Sequence, residues 1–361
     1  MRAILIIMLA GLAYLLIWPV PISPVAWHAP KSLGYEGVFA PNNKLADISL
    51  IPMLAGTTTY GPEDFAKRAD NSIAVSSHTG DILTKLPSQD AFTAWVNTGG
   101  RPLGIEYDKA GNLIVADAIR GLLQIAPDGD VTVLVDEVEG NPVTYADDLD
   151  IASDGMIYFT DATTAFPASE YKGTLSASLL EILEHKGNGR LIQYNPATHK
   201  AAVLMDGLVF ANGVALSSDN RYVLVNETGS YRVLRYWLQG EREGRHDVFI
   251  DNLPGFPDNI SRTRSGNFFV GLASPRSAVV DRLSPYPWLR SMVQRLPAFM
   301  RPAAQAYSHI IRLSEGGEVL ESLQDPAGRY PFTTGAIMTD DGMYISSLTA
   351  KGVGFLPHKP H

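Results

Sequence analysis

Residues 147–164 read DDLDIASDGMIYFTDATT. Two acids open the stretch, a short apolar alternation follows, Ser153-Asp154-Gly155 breaks it, and a β-branched and aromatic run closes it. That is the pattern of a strand, a tight turn and a second strand. The same pattern returns as NGVALSSDNRYVLVNETGS from Asn212 and as DNISRTRSGNFFVGLAS from Asp258. Two further copies open on other residues: LGIEYDKAGNLIVADAIRG from Leu103 and GAIMTDDGMYISSLTAK from Gly335. Further apolar runs follow the pairs, including GLLQIAP, VTVLVDE, RLIQYNP, KAAVLMD and VLRYWLQ. About four strands per unit is the make-up of a propeller blade.

Unit starts at 63, 103, 147, 212, 258 and 335 leave gaps of 40, 44, 65, 46 and 77 residues. Three gaps fit the ~40–50 residues of a four-stranded blade, and the two long ones must hold insertions. The expected fold is therefore all-β: a six-bladed β-propeller with an N-terminal transmembrane helix and helical insertions over one face. Residues from about Leu33 to Ile51 are expected to supply a strand closing the ring against the last unit. The insertions fall at about 166–189, with a helix-like stretch from Leu175 to His185, and at about 275–305. The second is basic and amphipathic, with Arg276, Arg282, Arg290, Arg295 and Arg301 among Trp288, Leu289, Met292, Val293, Leu296, Phe299 and Met300. It reads as a helix over one propeller face, as a lid, or as a second contact with a membrane surface.

Composition narrows the function. The formal charge of −9 argues against a nucleic-acid partner, which calls for a basic face. There is no cysteine, hence no disulfide framework, thiolate metal site or Cys nucleophile. No G-x-S-x-G elbow marks a serine nucleophile. Residues 3–18, AILIIMLAGLAYLLIW, are uncharged and apolar, with Arg2 before them and Pro19, Pro21 and Pro24 after. They read as an uncleaved membrane anchor, with a signal-peptide core as the competing reading. Residues 1–26 are then anchor or signal plus linker, and 27–361 the propeller. With Arg2 inside, the propeller lies in the periplasm, or in the lumen or exterior.

Four polar clusters occupy one place in the repeat: Glu63-Asp64, Asp147-Asp148, Asn212-Gly213 and Asp258-Asn259. Each alone could be a turn cap. At equivalent positions they can be aimed at one axis. Carboxylates crowded there repel one another unless a cation is present. Hard oxygen ligands make calcium the first candidate. Asp117, ending the strand LIVAD, is a further acid that serves as a general base or as a turn cap. His185, His199 and His246 fall in apparent loops and His358 and His361 at the tail, where a solvated role is expected.

GPEDF (61–65), GRPLGI (100–105), LIVADAIRGLL (113–123), IYFTD (157–161), NGVALS (212–217), LRYWLQG (234–240), LPGFPDNI (253–260) and YPWLR (286–290) together resemble the strictosidine-synthase-like branch of the gluconolactonase/paraoxonase calcium propellers. The resemblance implies a catalytic Ca2+ on the axis, held by Glu63, Asp147, Asn212, Asp258 and Asn259. Position 147 is commonly Asn in that pattern, so Asp147 is a departure that keeps an oxygen ligand. A second, structural ion would be held partly by Asp64 and Asp148. The activity implied is hydrolysis of a small-molecule lactone or aryl ester by metal-activated water, with Asp258 or Asp117 as base. The histidine pair of paraoxonases has no counterpart near 113–120, and TTGAIMTDDG (333–342) lacks the glutamate on which strictosidine synthase depends. The alternative is a non-catalytic, calcium-stabilised scaffold.

Overall fold

The computed structural model describes residues 1–54 and 59–358. Its β-structure is a propeller of antiparallel sheets packed face to face around an axis. Four are self-contained four-stranded sheets, within residues 102–135, 146–208, 211–250 and 255–325. The other large sheet has eight strands, in the order Pro62–Lys67, Ile73–Ser77, Asp81–Lys85, Phe92–Asn97, Ser49–Leu54, Gly352–Pro357, Gly342–Ser347 and Thr333–Met338.

The blade count from sequence is thus corrected: four self-contained blades are present, not six. The closing strand is the cause. Ser49–Leu54 pairs antiparallel with the last strand, from Ser49↔Phe355 to Pro52↔Gly352. Its end then runs parallel to Phe92–Asn97, through Met53↔Phe92 and Leu54↔Thr93. Paired on both sides, it merges the first and last units into one sheet and removes two free edges.

Burial grades outward along each sheet. The second strands Leu113–Asp117, Ile157–Asp161 and Tyr222–Glu227 are buried throughout, which is why they read as unbroken apolar runs. The outer strand Val131–Val135 is largely solvent-facing. The core lies between neighbouring sheets, as where Ile114 and Leu122 meet Phe159 and Ile192, or Leu224 and Val233 meet Phe268 and Ile311. Burial of each such side chain stabilises the fold by roughly 1.5–3 kcal/mol.

The transmembrane expectation is also corrected. Helix α1, Arg2–Ile17, has 16 residues. At 1.5 Å per residue it is about 24 Å long, against ~30 Å of bilayer hydrocarbon. Among the described residues, no helix is long and apolar enough to cross a membrane. Both insertions are helical: α2 (Thr174–Glu184) in the first, α3 (Ala278–Leu283) and α4 (Pro287–Arg295) in the second. His185 ends α2 in the left-handed conformation at φ 56°.

Candidate metal centre on the propeller axis

The inner strands Pro62–Lys67, Pro102–Tyr107, Ala146–Ile151, Ala211–Leu216, Gly255–Arg262 and Thr333–Met338 line the axis, each against the next and the last against the first. Every one carries the same irregularity. Ala146 pairs with Asp161 but Leu149 with Phe159, so three steps on one strand face two on the other. The same slip falls between Pro62 and Phe65, Pro102 and Ile105, Ala211 and Val214, Pro257 and Ile260, and Thr333 and Ala336. The residues inside these β-bulges are the polar clusters seen in the sequence, with Leu103-Gly104 and Thr334-Gly335 in the other two places. A bulge re-aims side chains out of the pleat, and here Glu63, Asp147 and Asp258, the first of their pairs, come within charge range of one another. Glycine at the second place has a steric cause: a Cβ on Gly213 would sit 2.5 Å from the Asp258 carbonyl oxygen and 2.7 Å from the Ile260 nitrogen.

Glu63, Asp147, Asn212, Asp258 and Asn259 are all buried, and hydrogen bonds pair all of them except Asp147. Asn212 Nδ2 donates to Asp258 Oδ1 at 3.0 Å. Asn259 Nδ2 donates to the Glu63 carbonyl at 2.9 Å, and Thr334 Oγ1 to the same oxygen at 2.7 Å. Asn226 Nδ2 donates to the Asp258 carbonyl. Arg101 Nη2 pairs with Glu63 Oε2 at 2.9 Å, both side chains buried, while its Nη1 donates to the Ser77 and Pro102 carbonyls. The carboxylate of Asp147, 5% exposed, receives no hydrogen bond from any described residue. Asn212 Oδ1 and Asn226 Oδ1 are buried acceptors without a donor.

Burial first, then the charges of Asp258 and Glu63, push the Asp147 carboxyl well above the usual carboxylate range. Burial, then Glu63, does the same to Asp258, with Asn212 and Arg101 opposing. Glu63 is raised by burial against the pull of Arg101. Among the described residues, no three His, Cys, Asp or Glu side chains alone are gathered as a metal cage. The donor set is mixed: three buried carboxylates, with Glu63 raising the other two, two acceptor-orphaned amides and one guanidinium. Bare carboxylate and amide oxygens are the donors a hard dication takes, so the residues fit one.

Asp64 and Asp148 occupy the second place of their bulges and turn elsewhere. Asp64 Oδ2 accepts from the Ile105 amide at 2.9 Å, and Asp148 Oδ2 from the Val214 amide at 2.7 Å. Each thereby fastens its inner strand to the next. Asp150 does likewise at Leu216. Burial raises Asp64 to about 7, and burial together with Asp150 and Asp64 raises Glu106 to about 8. These acids form a second group along the axis, in which Arg262 supplies a compensating charge.

Asp117 does not serve as a free carboxylate. Its Oδ1 accepts from the Arg101, Ile119 and Arg120 amides, each at 3.0 Å, and its Oδ2 from Thr98 Oγ1 at 2.8 Å. The turn-cap reading describes it, and the general-base reading is withdrawn. His185 is likewise not a solvated loop residue: it is buried and stacked on Trp27 at 3.7 Å between ring centroids, and burial lowers it to about 3. His361 lies outside the described residues. Arg101, Asn226 and Tyr145 are functional candidates that sequence reasoning missed. The Tyr145 hydroxyl is raised by burial and by Asp147.

The propeller resembles, in fold, solved gluconolactonase-type propellers. Solved structures of that fold include a gluconolactonase from Xanthomonas campestris (TM-score 0.61, 16% identity, 87% of this chain and 90% of that one). Another is a calcium-binding protein, regucalcin, from Agrobacterium tumefaciens (0.57, 13%, 86% and 95%). The family patterns matched are strictosidine synthase over residues 147–241 and strictosidine synthase-like, N-terminal, over 37–84. The chain is 39% identical over 274 residues to the protein strictosidine synthase-like 13 of Arabidopsis thaliana, covering 71% of this chain and 66% of that protein. It is 32% identical over 363 residues to the human adipocyte plasma membrane-associated protein, covering 94% and 84%. The chain belongs to the strictosidine synthase-like family.

Proposed function

We propose that this chain hydrolyses lactones or aryl esters with the help of a calcium ion held on the propeller axis. The observation that carries the reading is Asp147: a buried carboxylate with no hydrogen bond from any described residue, within charge range of Asp258 and Glu63, while Asn212, bonded to Asp258, keeps an orphan oxygen. Such a charge is costly in a folded core unless a cation compensates it. Glu63, Asp147, Asn212 and Asp258 would hold the ion, with Asn259 beside them. When bound, calcium supplies Lewis acidity that polarises a carbonyl and offsets charge developing on its oxygen.

The chain's own groups would do the rest. Asn212 Nδ2 fixes Asp258 through Oδ1, leaving Oδ2 without a described donor and able to take a proton from an attacking water. Arg101 holds Glu63 in place and moderates the negative charge of the group. Tyr145, buried and raised further by Asp147, would keep its phenolic proton. Direct attack by water needs no covalent intermediate.

A second reading is favoured by the buried Arg101–Glu63 pair, which gives the axis a cation of its own. In that reading the ion only fastens the inner strands and the protein is a scaffold. A panel of lactones and aryl esters, assayed with calcium, with chelator and with Asp258→Ala, separates the two. The hydrolase reading expects turnover that needs calcium and falls at least a hundredfold, on the order of one lost catalytic group, in the variant. Chelator-insensitive turnover, or none, overturns it. A melting point that falls with chelator in a protein without turnover supports the scaffold.

A further inference from the structure

Both insertions leave from the ends of second strands, at Asp161 and Pro275, which pair with Ala146 and Gly255 at the starts of inner strands. The helices therefore stand at the end of the ring where Asp147 and Asp258 lie. The inner side of the second insertion is anchored. Arg290, 1% exposed, donates to the carbonyls of Leu183, Glu184, Val25 and Ser284, and Arg276 pairs with Asp281 at 2.9 Å. The outer side is apolar and uncovered: Trp288 is 60% exposed, Phe299 87% and Met300 56%.

Helix α1 continues this surface. None of its residues is buried, although it is apolar on every side. Its C-terminal end is tied to α4: Tyr14 Oη donates to the Arg295 carbonyl at 3.1 Å, and Arg295 donates to the Leu15 and Trp18 carbonyls. Charge selects the occupant. Residues 275–305 hold five arginines and one aspartate, a net +4 in a chain of net −9. With Arg276 and Arg290 engaged inside and Arg295 tied to α1, Arg282 and Arg301 remain near the exposed aromatics.

We infer that this end of the propeller docks on the surface of an anionic bilayer. Helix α1 enters one leaflet without crossing it, Trp288 and Phe299 sit at the headgroup–acyl boundary, and Arg282 and Arg301 meet the lipid phosphates and carboxylates. Docking so presents the axial opening to the membrane. A helix too short to span, tied to a second helix with aromatic and cationic side chains turned outward, suits a protein lying on a membrane better than one tethered away from it.

The absence of native cysteine makes single-cysteine probes clean. The full chain would carry an environment-sensitive fluorophore at Trp288→Cys, at Phe299→Cys or, as control, at Ala110→Cys in the exposed turn at the other end of the ring. Vesicles would be phosphatidylcholine with or without phosphatidylserine. The expected result is a blue shift and shielding from iodide at 288 and 299 but not at 110, on phosphatidylserine vesicles. Joint Arg282→Glu and Arg301→Glu substitution should lower that binding about tenfold or more, at ~1 kcal/mol per cation near the surface. Protein that stays off both vesicles overturns the inference. So does a chain that binds through α1 while positions 288 and 299 stay as iodide-accessible as 110. Shielding of 288 and 299 without lipid, growing with protein concentration, would assign the surface to a second protein molecule and overturn it equally.

Discussion

Arg101→Met tests whether a cation reaches the axis, because Arg101 and a metal ion would compete for the same carboxylate. The methionine keeps most of the buried stem and removes the charge. Without metal, Glu63 loses its only ionic partner among the described residues while remaining buried, and the Ser77 and Pro102 carbonyls lose the Arg101 donor. Breaking one side of a buried pair costs about 3–5 kcal/mol. At ~2.1 cal/mol/K per residue over 361 residues, the unfolding entropy is about 0.76 kcal/mol/K, so Tm should fall by about 4–7 °C in chelator. With saturating calcium the ion neutralises Glu63, and the loss should shrink to about 1 kcal/mol, near 1–2 °C. The difference of about 3 kcal/mol is by linkage the gain in calcium affinity, roughly a hundredfold. Differential scanning calorimetry of both proteins with and without calcium, and titration calorimetry of the ion, read the two sides of the cycle. Equal Tm losses in calcium and in chelator, or unchanged affinity, would refute a cation at Glu63.

Asp117→Asn should leave turnover within about threefold, since the side chain caps a turn, whereas Asp117→Ala strands three backbone amides and should destabilise by about 2–4 kcal/mol in urea denaturation. Arg290→Met should cost about 3–5 kcal/mol or detach the second insertion, seen as faster amide exchange in α4 with the blades still protected. Acid should also destabilise through His309. Its burial lowers it to about 3 from ~6.5, so the unfolded chain binds the proton first. The associated stability is complete above ~6.5 and is lost as pH falls through 3, by about 5 kcal/mol at the limit. His309→Gln should flatten that part of the pH–stability curve; an unchanged slope would show that His309 is not the group responsible.

The axial residues were legible because they recur. A polar pair interrupting an apolar alternation, at one place in successive units, is visible without coordinates. What the pair does is less visible, because both members look alike. The bulge separates them, sending Asp147 to the axis and Asp148 to the Val214 amide. Asn226 left a faint trace, a lone amide in the buried run YVLVNE. Arg101 left less: it precedes its strand, and its partner Glu63 is 38 residues away. The merging of two units was hidden because pairing on both sides depends on strand direction, which the pattern SLIPML does not encode. The transmembrane expectation failed on length rather than on composition.

Charge balance decides what the axis can do. Glu63, Asp147 and Asp258 bring three negative charges when ionised, and Arg101 returns one. Two remain, the charge of one calcium ion. Protonation could discharge the same group, as the raised carboxyls of Asp147 and Asp258 imply for the metal-free chain. The two solutions differ in chemistry. Protonated carboxyls bind no hard cation and offer no base, so the axis would be only a mortar between strands. An ion-filled group keeps Asp258 ionised and able to take a proton. An arginine that leaves the dication's charge unmatched, together with an aspartate where the related pattern commonly has asparagine, fits the second state. The extra carboxylate at 147 restores the charge that Arg101 removes. Asp147→Asn should therefore weaken calcium binding in the native chain, while Arg101→Met combined with Asp147→Asn should recover it. A double variant that binds calcium no better than Asp147→Asn alone would break this coupling, and with it the reading of the axis as a charge-matched metal site.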